Sequence, residues 1–380
     1  MAARSAAGRG VRIACARTAG STAVARSCTC TTTTTITITD QVTVAVDVNG
    51  ADLGPAEVAR GAARAAAGGV RVLLFGPATE IGAVPDGVSV VDAPVSIAKD
   101  PDPARAVRRT PESSIVQAVT AVANGEADAL VSGGSTGAAL ASSLFTFKRA
   151  RGVHRPALAL MIPVPGKPFL LLDAGANVEV RPEHLVQFAH MGAAFMEAVG
   201  GVSSPRVALL SNGTEASKGP ETVVAAHASL QGSPGLNFIG NVEGFAIGTG
   251  EADVIVADGF TGNVALKVME GSSSALLGAV RTVALSSWRS KLGGMLLRPA
   301  LRGLRDELSP EEQGGAVLLG LRKLGVVPHG SFGALGFQRA IEVAARGVRE
   351  DVAGRTHARL QAAGALRKAS DPAASVPEES

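Results

Sequence analysis

Five stretches of the 380-residue chain combine glycine with side chains able to hold an anion. The first runs through Asp47, Asn49, Gly50, Asp52, Gly54 and Pro55, the second through Ser132, Gly133, Gly134, Ser135, Thr136, Gly137 and Ala138. The third holds Asp173, Gly175 and Asn177; the fourth Ser211, Asn212, Gly213, Thr214, Glu215, Lys218 and Gly219; the fifth Asp258, Gly259, Thr261, Gly262 and Asn263. Glycine lets backbone N–H groups approach a phosphate, and the positive end of a helix starting there adds to the attraction. A single turn of this kind is ordinarily a tight connection. Five of them point to a phosphate-like ligand.

Other chemistries lack their residue patterns. The 132–138 loop has no Gly-Lys-Ser/Thr ending of a nucleotide-binding P-loop, and no dinucleotide fingerprint follows the first apolar run. The serines lack nucleophile-elbow spacing, and His154, His184, His190, His227, His329 and His357 lack a metal-binding pattern. These histidines are expected to be structural or solvent-facing, His329 in its Pro328-His329-Gly330-Ser331 turn being the exception. Cys15, Cys28 and Cys30 all precede residue 42, which leaves the body without a thiol for a disulfide, a zinc site or a nucleophile.

Each of the five stretches follows a short aliphatic run, at 42–48, 129–132, 169–172, 206–210 and 254–257; further runs lie at 70–75, 158–162 and 236–239. They are branched and apolar on both faces, and most lead through a glycine turn into an Ala-rich segment. This predicts parallel strands covered by helices, an α/β fold. Ligands of such sheets bind beyond the carboxyl ends of the strands, so the five stretches are expected along one edge. The 46 Gly, 3% aromatics and absence of Tyr fit a core of small aliphatic side chains.

The chain is long enough for one large α/β domain or two average ones. Residues 1–41 carry five Arg, the single acid Asp40 and a threonine run at 29 and 31–35, a bias expected to give a disordered extension. An organelle transit peptide and a stretch upstream of the true start both fit it. Without it the formal charge of +3 falls to near −1, which gives nucleic-acid binding no bulk support. No run reaches the roughly 18–20 apolar residues of a membrane span. The expected organisation is an α/β domain over 42–350, then a helix end and frayed tail over 351–380.

Together these motifs resemble the phosphate acyltransferase family usually called PlsX. The likeness covers about 42–348, through Asp47…Gly50…Asp52…Gly54-Pro55, Ala106-Val107-Arg108-Arg109…Ser113-Ser114, Ser132…Thr136-Gly137-Ala138, and Arg155-Pro156-Ala157. It continues in Leu171-Leu172-Asp173-Ala174-Gly175-Ala176-Asn177-Val178, Pro182-Glu183-His184-Leu185, Gly213-Thr214-Glu215…Lys218-Gly219, and Gly240-Asn241-Val242-Glu243. It ends in Asp258-Gly259-Phe260-Thr261-Gly262-Asn263-Val264, Gly314-Gly315-Ala316…Leu319-Gly320 and His329-Gly330. The resemblance implies a three-layer α/β/α sandwich with a mostly parallel sheet, similar to phosphotransacetylases and isopropylmalate dehydrogenases, with a projecting helical segment. It implies a cytoplasmic, peripherally membrane-associated homodimer without metal or organic cofactor.

The implied reaction is attack of inorganic phosphate on the thioester of acyl carrier protein, giving acyl phosphate for a membrane acyltransferase of phospholipid synthesis. Phosphate is itself the nucleophile, so the site must hold it and stabilise an oxyanion. The family motifs put Lys218 and Asn263 at the reaction centre, with Asp258 orienting the groups around them. Ser132, Gly134, Ser135, Thr136, Gly137, Asp173, Asn177, Thr214, Gly262 and His329 are expected around the phosphate and substrate, and Arg108 and Arg109 are further anion candidates. Asn49, Ala51, Ser135, Ala216, Phe245 and Ala246 depart from the family's usual residues. A phosphotransacetylase using coenzyme A thioesters and a non-catalytic membrane-associated paralogue are the alternatives.

A helical segment at about 270–312 includes the only Trp and a run of bases, Arg289, Lys291, Arg298, Arg302 and Arg305, with no acid among residues 285–305. Trp288, Leu292, Met295, Leu296 and Leu297 are expected to touch a membrane surface, or else to pack two helices in a subunit contact. The same bases could receive an acidic acyl carrier protein.

Overall fold

The computed structural model of the chain describes residues 41–367. The extension expected over 1–41, apart from Gln41, and the end of the tail lie outside these residues. Eleven strands form one sheet: β1 (Thr43–Asp47), β2 (Arg71–Gly76), β3 (Val88–Asp92), β4 (Ala129–Ser132), β5 (Ala157–Ile162), β6 (Phe169–Leu172), β7 (Arg206–Leu210), β8 (Asn237–Val242), β9 (Val254–Val256), β10 (Ala316–Leu319) and β11 (Leu324–Val327). The helices are α1 (Pro55–Ala67), α2 (Ala78–Ile81), α3 (Pro103–Arg109), α4 (Ser114–Asn124), α5 (Thr136–Thr146), α6 (Pro182–Ala198), α7 (Glu221–Leu230), α8 (Gly259–Leu285), α9 (Trp288–Glu307), α10 (Ala334–Arg349) and α11 (Val352–Ala362).

Alternate residues of each inner strand feed two separate cores, as the two-residue period of a strand requires. Val44, Val46, Ala129, Val131, Leu170 and Leu172 face a core shared with α1, α6, α7, α10 and α11. Ala45, Leu130, Leu158, Leu171 and Leu318 face one shared with α3, α4, α5 and the start of α8. Helices on both faces make the fold a three-layer α/β/α sandwich, and seven of its ten strand pairings are parallel. The run at 236–239 is the exception to two-sided burial. It belongs to β8 at the sheet edge, where Asn237 and Ile239 are exposed.

The strand order is β3-β2-β1-β4-β11-β10-β5-β6-β9-β7-β8. It corrects the expectation of a single ligand-binding edge. β10 runs antiparallel to both β11 and β5, and β5 runs antiparallel to β6. β6, β7 and β9 therefore point opposite to β1 and β4, and the five glycine-rich stretches leave by two opposite ends. The physical reason is connection length. Residues 163–168 between β5 and β6, and 320–323 between β10 and β11, are too few for a crossover helix, so each must reverse the chain as a hairpin.

The second half of α8 and most of α9 lie outside both cores. Trp288 is 72% exposed and Leu296 78%; Leu292, Met295 and Leu297 are also exposed, beside Leu276, Val280 and Val283 of α8. Among the described residues, no helix is long and apolar enough to cross a membrane.

Candidate active site

The hairpin strands at the middle of the sheet form the floor of a cleft of about 750 Å³. Leu158 and Leu160 of β5 and Ala316 of β10 face upward into it. Thr136 at the start of α5 stands on one side; Ala174, Gly175 and the α8 residues Asn263, Leu266, Lys267 and Glu270 stand on the other. Pro328, His329, Ser331 and Phe332 after β11 close one end together with Ser309, Pro310 and Glu311. Stretches that leave opposite ends of the sheet thus meet across one face.

Three aspartates at strand ends fix the walls. Asp173 is fully buried and accepts hydrogen bonds from the N–H groups of Leu158 (2.9 Å), Gly175 (3.2 Å), Ala176 (3.0 Å) and Asn177 (2.7 Å). The Asn177 side chain adds a fifth at 2.8 Å and ties the loop to the Pro156 carbonyl at 2.7 Å. Burial raises the Asp173 carboxyl above the ordinary range, and the hydrogen bonds pull it back. Asp173 and Asn177 direct their hydrogen bonds into the loop itself, which presents Gly175 to the cleft.

Asp258 accepts from the N–H and hydroxyl of Thr261 at 2.8 and 2.6 Å, capping the start of α8. That start lies directly on the 173–177 loop. The N–H of Gly259 donates to the Asn177 carbonyl at 2.7 Å, and a Cβ on Gly262 would fall 2.0 Å from the Asp173 carbonyl oxygen. Only glycine fits there, and the contact sets Asn263 against Gly175. The Asn263 side chain is exposed in the cleft and makes no hydrogen bond among the described residues.

On the opposite wall, Asp47 is 2% exposed and accepts from Ser114 Oγ (2.5 Å), Ser132 Oγ (2.8 Å) and the Asn49 N–H (3.3 Å). Ser132 Oγ receives the Gly134 N–H at 3.3 Å, and Ser135 caps α5 by accepting the Ala138 N–H at 3.2 Å. Ser132, Gly134 and Ser135 therefore shape the turn, and Thr136 reaches the cleft while Gly137 does not line it.

Burial raises the Asp47 carboxyl to about 6, against the hydrogen bonds that lower it. Between its ordinary value of 3.8 and about 6 the folded state holds a proton that the unfolded chain has released. Stability from this group is therefore present at low pH and lost as pH rises through about 6. Relative to an Asp47→Asn variant, the protein is expected to lose about 2–3 kcal/mol between pH 4 and pH 7 in urea unfolding. A pH-independent difference between the two would refute this.

His329 is exposed in the cleft with Nδ1 2.8 Å from Ser331 Oγ, whereas His154, His184, His190 and His227 are buried. Lys218 and Thr214 are exposed on the loop between β7 and α7 and do not line the cleft with Asn263. That loop leaves the same end of the sheet as the β9–α8 turn, since β7 and β9 are parallel neighbours. Pro220, two residues beyond Lys218, shares a smaller cavity with Asp258 and Thr261. Arg108 lies over the Phe145 ring, 4.6 Å from its centroid.

Lys267, paired with Glu270 at 2.8 Å, was not among the expected site residues. Its signal was present. Asn263, Leu266, Lys267 and Glu270 follow the spacing of one helix face, continuing the glycine-rich stretch into α8.

A family described as "Fatty acid synthesis protein" matches residues 42–355. A phosphate acyltransferase from Moorella thermoacetica is 44% identical over 314 residues, covering 81% of this chain and 92% of that protein. One from Geobacillus thermodenitrificans is 43% identical over 326 residues, covering 84% and 99%. The chain belongs to the phosphate acyltransferase family. As a member it is an acyltransferase. A phosphotransacetylase structure from Streptococcus pyogenes superposes with a TM-score of 0.56 at 17% identity, covering 82% of this chain and 94% of that one. Another from Staphylococcus aureus gives 0.53 at 16% identity, with 81% and 94% covered. At these identities the likeness shows a phosphotransacetylase-like fold for this phosphate acyltransferase family member.

Proposed function

We propose that the protein transfers a fatty acyl group from acyl carrier protein to inorganic phosphate, releasing the carrier thiol and supplying acyl phosphate to phospholipid synthesis. The observation that carries this reading is the composition of the cleft. An apolar lining of Leu158, Leu160, Leu266 and Phe332 suits an acyl chain, and Thr136, Asn263, Lys267 and His329 beside it suit phosphate and a reacting carbonyl. Coenzyme A phosphotransacetylation would use the same fold.

In the proposed reaction a phosphate oxygen attacks the thioester carbonyl, and the new C–O bond forms as the carbonyl electrons move onto oxygen. Collapse of the tetrahedral species breaks the C–S bond, and the sulfur leaves as thiolate and takes the proton that the attacking hydrogen phosphate gives up. Asn263 Nδ2 donates to the oxyanion. Thr136 and the start of α5 attract the phosphate, Lys267 offsets its charge, and Lys218 adds positive charge from the neighbouring β7–α7 loop outside the cleft. No protein nucleophile is required.

Incubation with palmitoyl-acyl carrier protein and phosphate should give phosphate-dependent acyl hydroxamate after hydroxylamine trapping, at a higher rate than with acetyl- or palmitoyl-coenzyme A. Faster turnover of the coenzyme A thioesters would overturn the carrier assignment. Lys218→Ala is expected to lower the rate about tenfold to a hundredfold, with partial recovery in Lys218→Arg. An unchanged rate would remove Lys218 from the site.

The exposed apolar side chains of α8 and α9, with Arg289, Lys291, Arg298, Arg302 and Arg305 among them, support peripheral attachment to an anionic membrane or a homodimer contact. A membrane location would place the product near a downstream membrane acyltransferase.

A further inference from the structure

Residues 148–155, joining α5 to β5, read Lys-Arg-Ala-Arg-Gly-Val-His-Arg, four bases without an acid. The fold adds more bases to this rim. Arg322 donates from Nε to the Arg149 carbonyl at 3.3 Å and from its N–H to the Lys148 carbonyl at 3.2 Å. The Arg149 guanidinium bonds the His154 carbonyl, and the Arg367 N–H donates to the Gly152 carbonyl at 2.8 Å. The His154 ring lies 5.5 Å from His184, whose Nε2 is 3.5 Å from Arg181 Nη2.

Lys148, Arg149, Arg151, Arg155, Arg181 and Arg322 are exposed. Among the described residues, all but Arg181 lack an ion pair with an acid; Arg181 approaches Glu183 at 4.0 Å. Asp128 and Asp351 border Arg322, but their carboxylates hold the N–H groups of Thr43 and Gly354. The bases are close enough to repel one another. Burial, then Arg155 and Arg367, push the Arg149 guanidinium below its ordinary value, while burial, Arg181, His154 and Arg155 do the same to His184.

The rim adjoins the cleft. Arg155 precedes the floor residue Leu158 by three positions, which limits their separation along the chain to about 11 Å. The carbonyl of Pro156 holds Asn177, and with it the loop that carries Gly175. We propose that this basic rim is the docking surface for an acidic acyl carrier protein, whose thioester arm then enters the cleft; the inference rests on the carrier-dependent reaction proposed above. Several exposed bases drawn from separate elements match a broad acidic surface better than one small anion. Residues 148–155 contain no exposed apolar side chain, whereas the exposed apolar side chains of α8 and α9 fit a lipid surface.

The test pairs Arg151→Glu/Arg155→Glu with a control variant, Arg298→Glu/Arg302→Glu. Binding of fluorescently labelled holo-acyl carrier protein is measured by anisotropy, and turnover is measured with palmitoyl-acyl carrier protein and with a palmitoyl N-acetylcysteamine thioester. The rim variant is expected to bind carrier about tenfold more weakly, with KM for the carrier substrate raised in proportion and turnover of the small thioester unchanged. Unchanged carrier affinity, or a loss confined to the α9 control, would overturn the docking assignment. So would intact carrier binding with lost sedimentation on phosphatidylglycerol vesicles, which would make the rim a lipid contact. If neither thioester yields acyl phosphate with the unaltered protein, the proposed reaction fails, and carrier binding still decides the docking surface.

Discussion

Replacing Asn263 with alanine should lower acyl-phosphate formation by about 10²–10³-fold, the usual cost of losing one oxyanion donor. The side chain projects from the second turn of α8 into the cleft and makes no hydrogen bond among the described residues, so its removal breaks no internal hydrogen bond. The melting temperature is therefore expected to stay unchanged. Because the donor strengthens its bond as charge develops, the loss should fall on kcat more than on KM. An Asn263→Asp variant keeps the shape but places a negative charge beside the oxyanion, and should be at least as slow. Activity within about twofold of the parent protein in Asn263→Ala would remove the residue from the reaction.

Gly262→Ala should damage stability and activity together. The added methyl would stand 2.0 Å from the Asp173 carbonyl oxygen and 3.1 Å from its carbon, both backbone atoms that no rotamer change can move. Asp173 is held by five donors and α8 by its Asp258 cap, so the conflict can be relieved only by shifting the helix start from the loop. Such overpacking costs about 3 kcal/mol or more, seen as a fall of several degrees in melting temperature. Because Asn263 moves with the helix, the displacement should also cost about a hundredfold in turnover, even well below the melting transition. A fully active, equally stable Gly262→Ala protein would contradict the packing described for the helix start. At Gly271, further along α8, a Cβ would meet nothing within 4 Å, so Gly271→Ala is the matched control.

The eight apolar runs recognised in the sequence all correspond to strands; seven of them are buried on both faces, which writes the pattern into consecutive residues, and the edge strand β8 is the exception. β3, β10 and β11 left weaker marks. β3 is an edge strand with Ser89 and Asp92 exposed, and β10 and β11 are four residues each, one with a glycine inside it. Strand direction was recoverable from the short 163–168 connection, but the glycine-rich turns, so alike in composition, suggested a uniform parallel sheet. The same likeness obscured their different tasks. Asp47, Asp173 and Asp258 look like ligands in sequence, whereas their partners here are neighbouring N–H and O–H groups. Thr136 and His329 were expected near the substrate and do line the cleft, but that Gly137 and Lys218 do not depends on pairings between distant segments, which local sequence does not contain. Lys267 was legible by helical spacing once Asn263 was placed.

The two hairpin strands beneath the cleft also impose an order on assembly. β10 and β11 sit between β4 and β5 although they are the last strands synthesised. Until residues 316–327 emerge, β4 and β5 lack the pair that lies between them in the finished sheet, and each has a margin without its partner strand. Late insertion of the central pair raises the contact order of the domain and leaves those margins open to wrong partners during synthesis. The floor of the cleft is thus completed in the same event that seals the sheet, and a nascent chain acquires the cleft only when the fold is complete.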